Sequence, residues 1–320
     1  MDNFAKKTLA VLLGIAVALL LLEIACQVFF AFVVVKSLEA QRSDPFHYYT
    51  ASVDPVLRYE LKPGYRMEKE GRRIAVNSAG IRDDREPDGD ARKKVALLGD
   101  SVPFGIALSQ EETPAARLQA LTGDSMEVLN FGTPGYGLEE IQRFLELKFP
   151  VYQPGMIYYV LNLNDFSRRN TIYEGADNGL YRIYHRPFLK MPFFIRKAVY
   201  RFVKEGKMSS ERWYRWLFEG NKVQGLAMVK QMADFAKQHG SGFSVVLFPP
   251  AVAYDREGFH LQDVFDEICA YLKENGIPCL APVEEFSTQP LELQDNTDHF
   301  TPAGCRVLAQ YIWQDLQNSE

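Results

Sequence analysis

The chain has 320 residues, 47% of them apolar and 24% charged, and a formal net charge of −5. A disordered chain, which needs low hydrophobicity and high net charge, is excluded, and so is a uniformly basic nucleic-acid binder. Four cysteines in this length exclude a disulfide-dense mini-scaffold.

In chain order, Thr8 to Leu22 is unbroken apolar sequence. Glu23 interrupts it, and Ile24 to Val35 resumes it. About 20 residues at ~1.5 Å each suffice to span a bilayer. Lys6, Lys7 and the α-amino group crowd the N-terminal flank, while Lys36 and Arg42 follow the apolar stretch. This asymmetry favours an N-terminus inside the cytoplasm. The apolar stretch is too long for a cleaved signal peptide and lacks a small-x-small site before polar residues. The expected layout is a cytoplasmic N-terminus at 1–7 and a transmembrane signal anchor at 8–35, single-pass in the inner (cytoplasmic) membrane. The rest of the chain is then periplasmic or extracellular. Glu23 is expected toward the outer half of the span or facing a partner helix.

Residues 36–90 are polar, with prolines at 45, 55, 63 and 87, and read as a neck and small cap. Beyond them strands and helices alternate. Strands are expected at Lys93–Leu98, Glu127–Phe131, Met156–Leu163, Phe243–Phe248 and Ile277–Ala281. Helices are expected at Glu111–Thr122, Leu138–Phe149, Val223–Gln238, Leu261–Asn275 and Pro302–Gln317, the last with proline in its first turn. Such alternation predicts an α/β fold with a mostly parallel sheet covered by helices on both faces. Ligands then bind at the carboxyl ends of the strands.

One stretch breaks the alternation. Residues 166–225 hold 13 Lys/Arg against five Asp/Glu, a net of +8, together with 13 aromatics. The rest of the chain therefore carries −13. Three readings stand: a lid packed on the core, a surface lying on anionic headgroups, or a binder of acidic polymer. Arg196, Lys197, Arg201 and Lys204 with Phe193, Phe194, Val199, Tyr200 and Phe202 suit an amphipathic helix. Trp213, Tyr214 and Trp216 could stack on sugar rings.

The residues just after the strands carry the chemistry. Gly99-Asp100-Ser101-Val102 places a serine hydroxyl in a glycine-led turn after the first strand; the same composition also makes a plain turn. Asn130 to Gly137 holds three glycines in six residues, which lets backbone N–H groups turn toward an anion. Asn162-Leu163-Asn164-Asp165 puts a carboxamide, an oxyanion donor or an Asx turn, at the third strand end. His299 precedes the last helix with Asp295 and Asp298 nearby, and a histidine can take a serine proton while an acid orients its ring.

The four blocks together, GDSV with Ser101, NFGTPGYG with Gly135, NLND with Asn164 and NTDHF with His299, resemble the SGNH hydrolases, also called GDSL esterases. Asn77-Ser78-Ala79-Gly80-Ile81-Arg82 resembles the membrane-anchored bacterial branch of that family. The resemblance covers about residues 74–165 and 225–320. It implies a three-layer α/β/α sandwich of flavodoxin-like type, with the hydrolase-type domain placed over 91–320 and interrupted by the insertion at 166–225. No Walker-type or dinucleotide glycine fingerprint occurs, and no cofactor is expected. The resemblance also implies Ser101 as nucleophile, His299 as base, and Ser101 N–H, Gly135 N–H and the Asn164 side chain as oxyanion donors. Two departures stand. Asn162 replaces the glycine of the third block, and the position of the family's acid, three before the histidine, is Asn296. On a helical turn, residues three and four back share a face, so Asp295 is preferred over Asp298, with a Ser-His dyad also open.

The reading is a serine-dependent ester hydrolase working through an acyl-enzyme on an acyl ester, with O-acylated cell-surface polysaccharide as one class. The alternatives are an O-acyltransferase using the same site and a non-catalytic envelope scaffold. No nucleic-acid partner is expected. Buried free thiols are expected for Cys269, Cys279 and Cys305, with a Cys269–Cys279 bridge as the lesser option. No cysteine or histidine cluster has metal-ligand spacing.

Overall fold

The structure is a computed structural model. It describes residues 3–34, 47–57, 59–87, 93–167, 188–195, 198–199, 209–295 and 299–319. Contacts divide the chain into two units. One is Met1–His47 with Asn170–Lys207, the other Tyr48–Arg169 with Met208–Glu320.

In the first unit, helix α1 (Asn3–Phe29) passes into a wider π-type turn, Phe30–Val34. The stretch Phe4–Val33 is long and apolar enough to cross a membrane, and most of its side chains are exposed, with Phe30 buried. The same unit contains a helical turn at 191–195.

The second unit opens with two antiparallel pairs, β1 (Tyr49–Ala51) with β2 (Tyr59–Leu61) and β3 (Arg66–Lys69) with β4 (Arg72–Ala75). Then follow β5 (Lys93–Gly99), α2 (Ser101–Phe104), α3 (Pro114–Thr122), β6 (Met126–Gly132), α4 (Leu138–Tyr152) and β7 (Met156–Leu161). After α5 (Ser210–Gln238) come β8 (Gly242–Leu247), the short pair β9 (Tyr254–Asp255) and β10 (Gly258–Phe259), and α6 (Gln262–Glu274). The unit ends with β11 (Cys279–Leu280), α7 (Val283–Ser287), α8 (Pro290–Leu293) and α9 (Pro302–Ser319).

Five strands form one parallel sheet in the order β6-β5-β7-β8-β11. This is the doubly wound 2-1-3-4-5 order, whose direction switches between β5 and β7. The strands are apolar on both faces because helices cover both. Val95, Leu97, Val128, Tyr158 and Val246 pack with Leu118 of α3 and Leu308 and Ile312 of α9. The intervening residues turn to the other face, where Phe131 of β6 meets Phe144 of α4 edge to face, with ring centroids 5.9 Å apart. The α/β fold and its parallel sheet are as expected.

Two expectations change. Helix α5 begins at Ser210 rather than Val223. Ser209 caps it by accepting the Arg212 N–H, and Tyr214, Leu217 and Phe218 are buried along it. Their helical spacing continues that of Leu226 and Val229, and the interleaved basic residues hid it. Tyr214 is thus a core ring, not a surface ring for sugars. The amphipathic helix expected around 193–204 falls largely outside the described residues. The cysteines change as well. Cys269 of α6 and Cys279 of β11 are joined in a disulfide, their Cα atoms 5.4 Å apart, while Cys305 is the buried free thiol expected.

Candidate active site

Ser101 sits two residues past the end of β5, beside the point where the sheet order reverses. The turn that presents it depends on two close approaches. Gly99 has φ +148°, and a Cβ there would lie 2.7 Å from the Val160 carbonyl oxygen. At Gly132 of β6 a Cβ would lie 2.2 Å from the Phe104 nitrogen, so only glycine lets the serine turn pack on that strand. Asp100 caps the turn, its Oδ1 accepting the Val102 N–H at 2.9 Å.

The other end of the turn is held by Arg82. Its buried guanidinium donates to the carbonyl oxygens of Phe104, Gly105 and Leu108 at 2.7–3.0 Å and to Gln110 Oε1 at 3.1 Å. Burial lowers its pKa to about 10. The Asn77–Arg82 stretch thus has a structural task. Asn77 Oδ1 accepts the Ala79 and Ile81 N–H groups, closing the turn that leads into Arg82.

His299 Nε2 lies 2.8 Å from Ser101 Oγ. The histidine is delivered by a loop rather than by the helical turn expected. An antiparallel bridge joins Gln294 to Phe300, and the Asp295 N–H donates to the His299 carbonyl at 2.8 Å. The loop is pinned below by Gln294, which accepts the Ala251 N–H and donates to the Pro249 carbonyl, and by Phe300 against Phe248. Asp295 Oδ1 accepts the His299 backbone N–H at 3.1 Å and stands 4.0 Å from its ring Nδ1. Loop closure, not a shared helical face, brings this acid to the histidine. Asp298 and Asn296 lie outside the described residues.

Asn164 lies in the 3-10 turn Leu163–Phe166, capped by Asn162. Asn162, which stands where the family has glycine, is buried and used. Its side chain accepts the Asn164 N–H at 3.4 Å. The Asn164 side chain is near enough to the Asp100 carboxyl to pull its pKa down. Ser101 Oγ is itself 3.3 Å from Asp100 Oδ2. Gly135 lies in the loop after β6. The loop is tied to β5 by the Thr133 N–H on the Gly99 carbonyl, and to β2 by Tyr59 Oη on Pro134 and Tyr136 Oη on Tyr59.

Two carboxyls are buried beneath this surface. Burial pushes Asp100 up from the ordinary range, against the pull of the Val102 N–H, His299, Asn164 and the Ser101 N–H. Burial, and then the nearby Asp100, push Asp165 up much further. Asp165 Oδ2 accepts from Tyr159 Oη at 2.8 Å and from the Asn162 N–H at 3.1 Å. Sequence reasoning passed over Asp100, Asp165 and Arg82 as functional groups. The signal for the two aspartates was charge just past an otherwise apolar strand, which is costly to bury unless the group is bonded; Arg82 carried no such signal. Among the described residues, no group of three or more His, Cys, Asp or Glu is placed to hold a metal ion.

No family model matches the chain, and no curated protein is similar enough to count as a match. Solved structures do. A protein assigned to the lipolytic G-D-S-L family from Desulfitobacterium hafniense is 14% identical, covering 70% of this chain and 99% of that one, with a TM-score of 0.42. A psychrotrophic esterase from Pseudoalteromonas sp. is 10% identical, covering 71% and 97%, with a TM-score of 0.44. A lipase/acylhydrolase from Enterococcus faecalis is 13% identical, covering 71% and 96%, with a TM-score of 0.44. The solved structures similar to this chain thus include a G-D-S-L lipolytic protein, an esterase and a lipase/acylhydrolase, each covering about 70–71% of its length.

Proposed function

We propose that the chain is a serine-dependent ester hydrolase, held in a membrane by α1 with its second unit outside the cytoplasm. The observation that carries the catalytic reading is the 2.8 Å approach of His299 Nε2 to Ser101 Oγ at the switch point of the sheet. In this reading Ser101 Oγ attacks the ester carbonyl carbon while His299 Nε2 takes the hydroxyl proton. The imidazolium then returns that proton to the leaving alcohol as the C–O bond breaks. Water, deprotonated by the same nitrogen, releases the acid from the acyl-serine.

Charge on the tetrahedral oxygen falls to the Ser101 and Gly135 N–H groups and to Asn164, whose carboxamide NH₂ carries two hydrogens. Preorganised donors of this kind contribute about 3–4 kcal/mol each to the transition state. Asp295 supports the imidazolium from 4.0 Å, a separation that can tighten once substrate is bound.

Export is supported by the lysines before the apolar stretch and by the Cys269–Cys279 disulfide, a bond favoured in oxidising compartments. The test is hydrolysis of a simple chromogenic acetate ester by the purified full chain in detergent. Ser101→Ala and His299→Ala should each lower kcat by about a thousandfold or more. An undiminished rate in Ser101→Ala would refute the reading.

A further inference from the structure

Glu23 is the anomaly of the apolar helix. It stands 16 residues after Lys7, about 24 Å along a helix rising ~1.5 Å per residue. If Lys7 marks one face of a hydrocarbon layer ~30 Å thick, Glu23 lies about 6 Å short of the other face. An unbonded carboxylate at that depth is expensive. Here it is bonded. Its two oxygens accept the backbone N–H groups of Lys190 and Met191, each at 2.8 Å. Gln27, one turn on, donates to Glu23 and to the Phe188 carbonyl at 2.7 Å.

Side chains extend the contact. Lys190 is buried, with its ammonium 4.4 Å from the centre of the Phe30 ring. Phe193 meets Phe30 and Phe194 meets Phe29, both edge to face. The segment exposes Phe188 (90%), Leu189 and Ile195, and α1 likewise exposes large apolar side chains. The segment also lies in a run, 178–204, that holds seven Lys/Arg and no Asp or Glu. Apolar side chains flanked by cations match the boundary between acyl chains and anionic headgroups.

We infer that residues 188–195 are a second membrane contact, clamped to the anchor helix by Glu23, whose exposed apolar side chains enter the outer leaflet of an anionic bilayer. The inference rests on the reading of α1 as a retained membrane span. It also assigns Glu23 a role, as the acceptor that holds the segment at the outer interface.

The test uses the full chain in vesicles of phosphatidylcholine and phosphatidylglycerol that contain a phospholipid with a photoreactive acyl chain. Adducts are mapped by mass spectrometry. Adducts are expected both within 4–33 and within 188–196. Glu23→Leu, which removes two charge-assisted hydrogen bonds, should cut those in 188–196 about tenfold or more while sparing those in 4–33. Glu23→Gln, which keeps a carbonyl acceptor, should fall between. Adducts in 4–33 with none in 188–196 would overturn the inference while leaving the anchor intact, and so would labelling indifferent to Glu23→Leu. Absence of adducts from both segments would overturn the anchor reading and this inference together.

Discussion

Ser101 and His299 lie 198 positions apart in the chain, and their Oγ and Nε2 atoms lie 2.8 Å apart. The serine is fixed by a strand end and two glycine contacts, the histidine by a pinned loop before the last helix. Neither position depends on the other, so the pair is set before any substrate arrives.

Asp295 contacts His299 twice, through the backbone N–H at 3.1 Å and at 4.0 Å from Nδ1. It is therefore a positioning group more than a tightly bonded triad acid. Asp295→Ala is expected to lower kcat about ten- to a hundredfold, less than the ~10⁴-fold loss seen when a buried triad aspartate is replaced. Steady-state ester hydrolysis checks this, with KM little changed. A loss below twofold would favour a Ser-His dyad or Asp298 in this place.

Arg82 satisfies three carbonyl oxygens at the far end of the serine turn. Arg82→Met would strand the Leu108 carbonyl in a buried setting, at about 1–3 kcal/mol, while the Phe104 and Gly105 carbonyls keep Asn130 Nδ2 and the Leu108 N–H as donors. Denaturant unfolding should show a loss of about 1–3 kcal/mol, with Arg82→Lys recovering only part of it. Equal stability of Arg82→Met and wild type would remove the guanidinium from this account.

Asp165 is a buried carboxyl whose native pKa lies well above 3.8. Such a group binds more protons in the native state than in the unfolded one. Its stabilisation is fully present below 3.8 and is lost as pH rises toward and through the native pKa. Asp165→Asn, which keeps an acceptor for Tyr159 and Asn162, should flatten that decline and gain stability relative to wild type at alkaline pH. Urea midpoints at acidic and alkaline pH measure it. An equal shift of the variant at both pH values would count against the buried-acid assignment.

Much of the fold was legible because each layer leaves a local mark. The apolar runs at 95–98, 128–131, 157–161 and 243–248 are short and punctuated, and the sheet forms from those runs. Ser101, Asn164 and His299 stood out only together, because each block alone also makes an ordinary turn and their joint order is what carries the resemblance. The rest needed three dimensions. Arg82 and Gln110 look like ordinary surface residues, and only their burial against the carbonyls of the serine turn gives them a role. The reach of Asp295 to His299 comes from a bridge between Gln294 and Phe300, a pairing no helical periodicity predicts. The start of α5 was obscured by arginines and lysines that lie between its buried aromatics.

The central claim is that Ser101 is an activated nucleophile, and fluorophosphonate labelling of the purified full chain tests it most directly. The account predicts one covalent adduct, located at Ser101 by mass spectrometry, lost in Ser101→Ala and formed far more slowly in His299→Ala. A wild-type chain that resists the probe as fully as Ser101→Ala would contradict it.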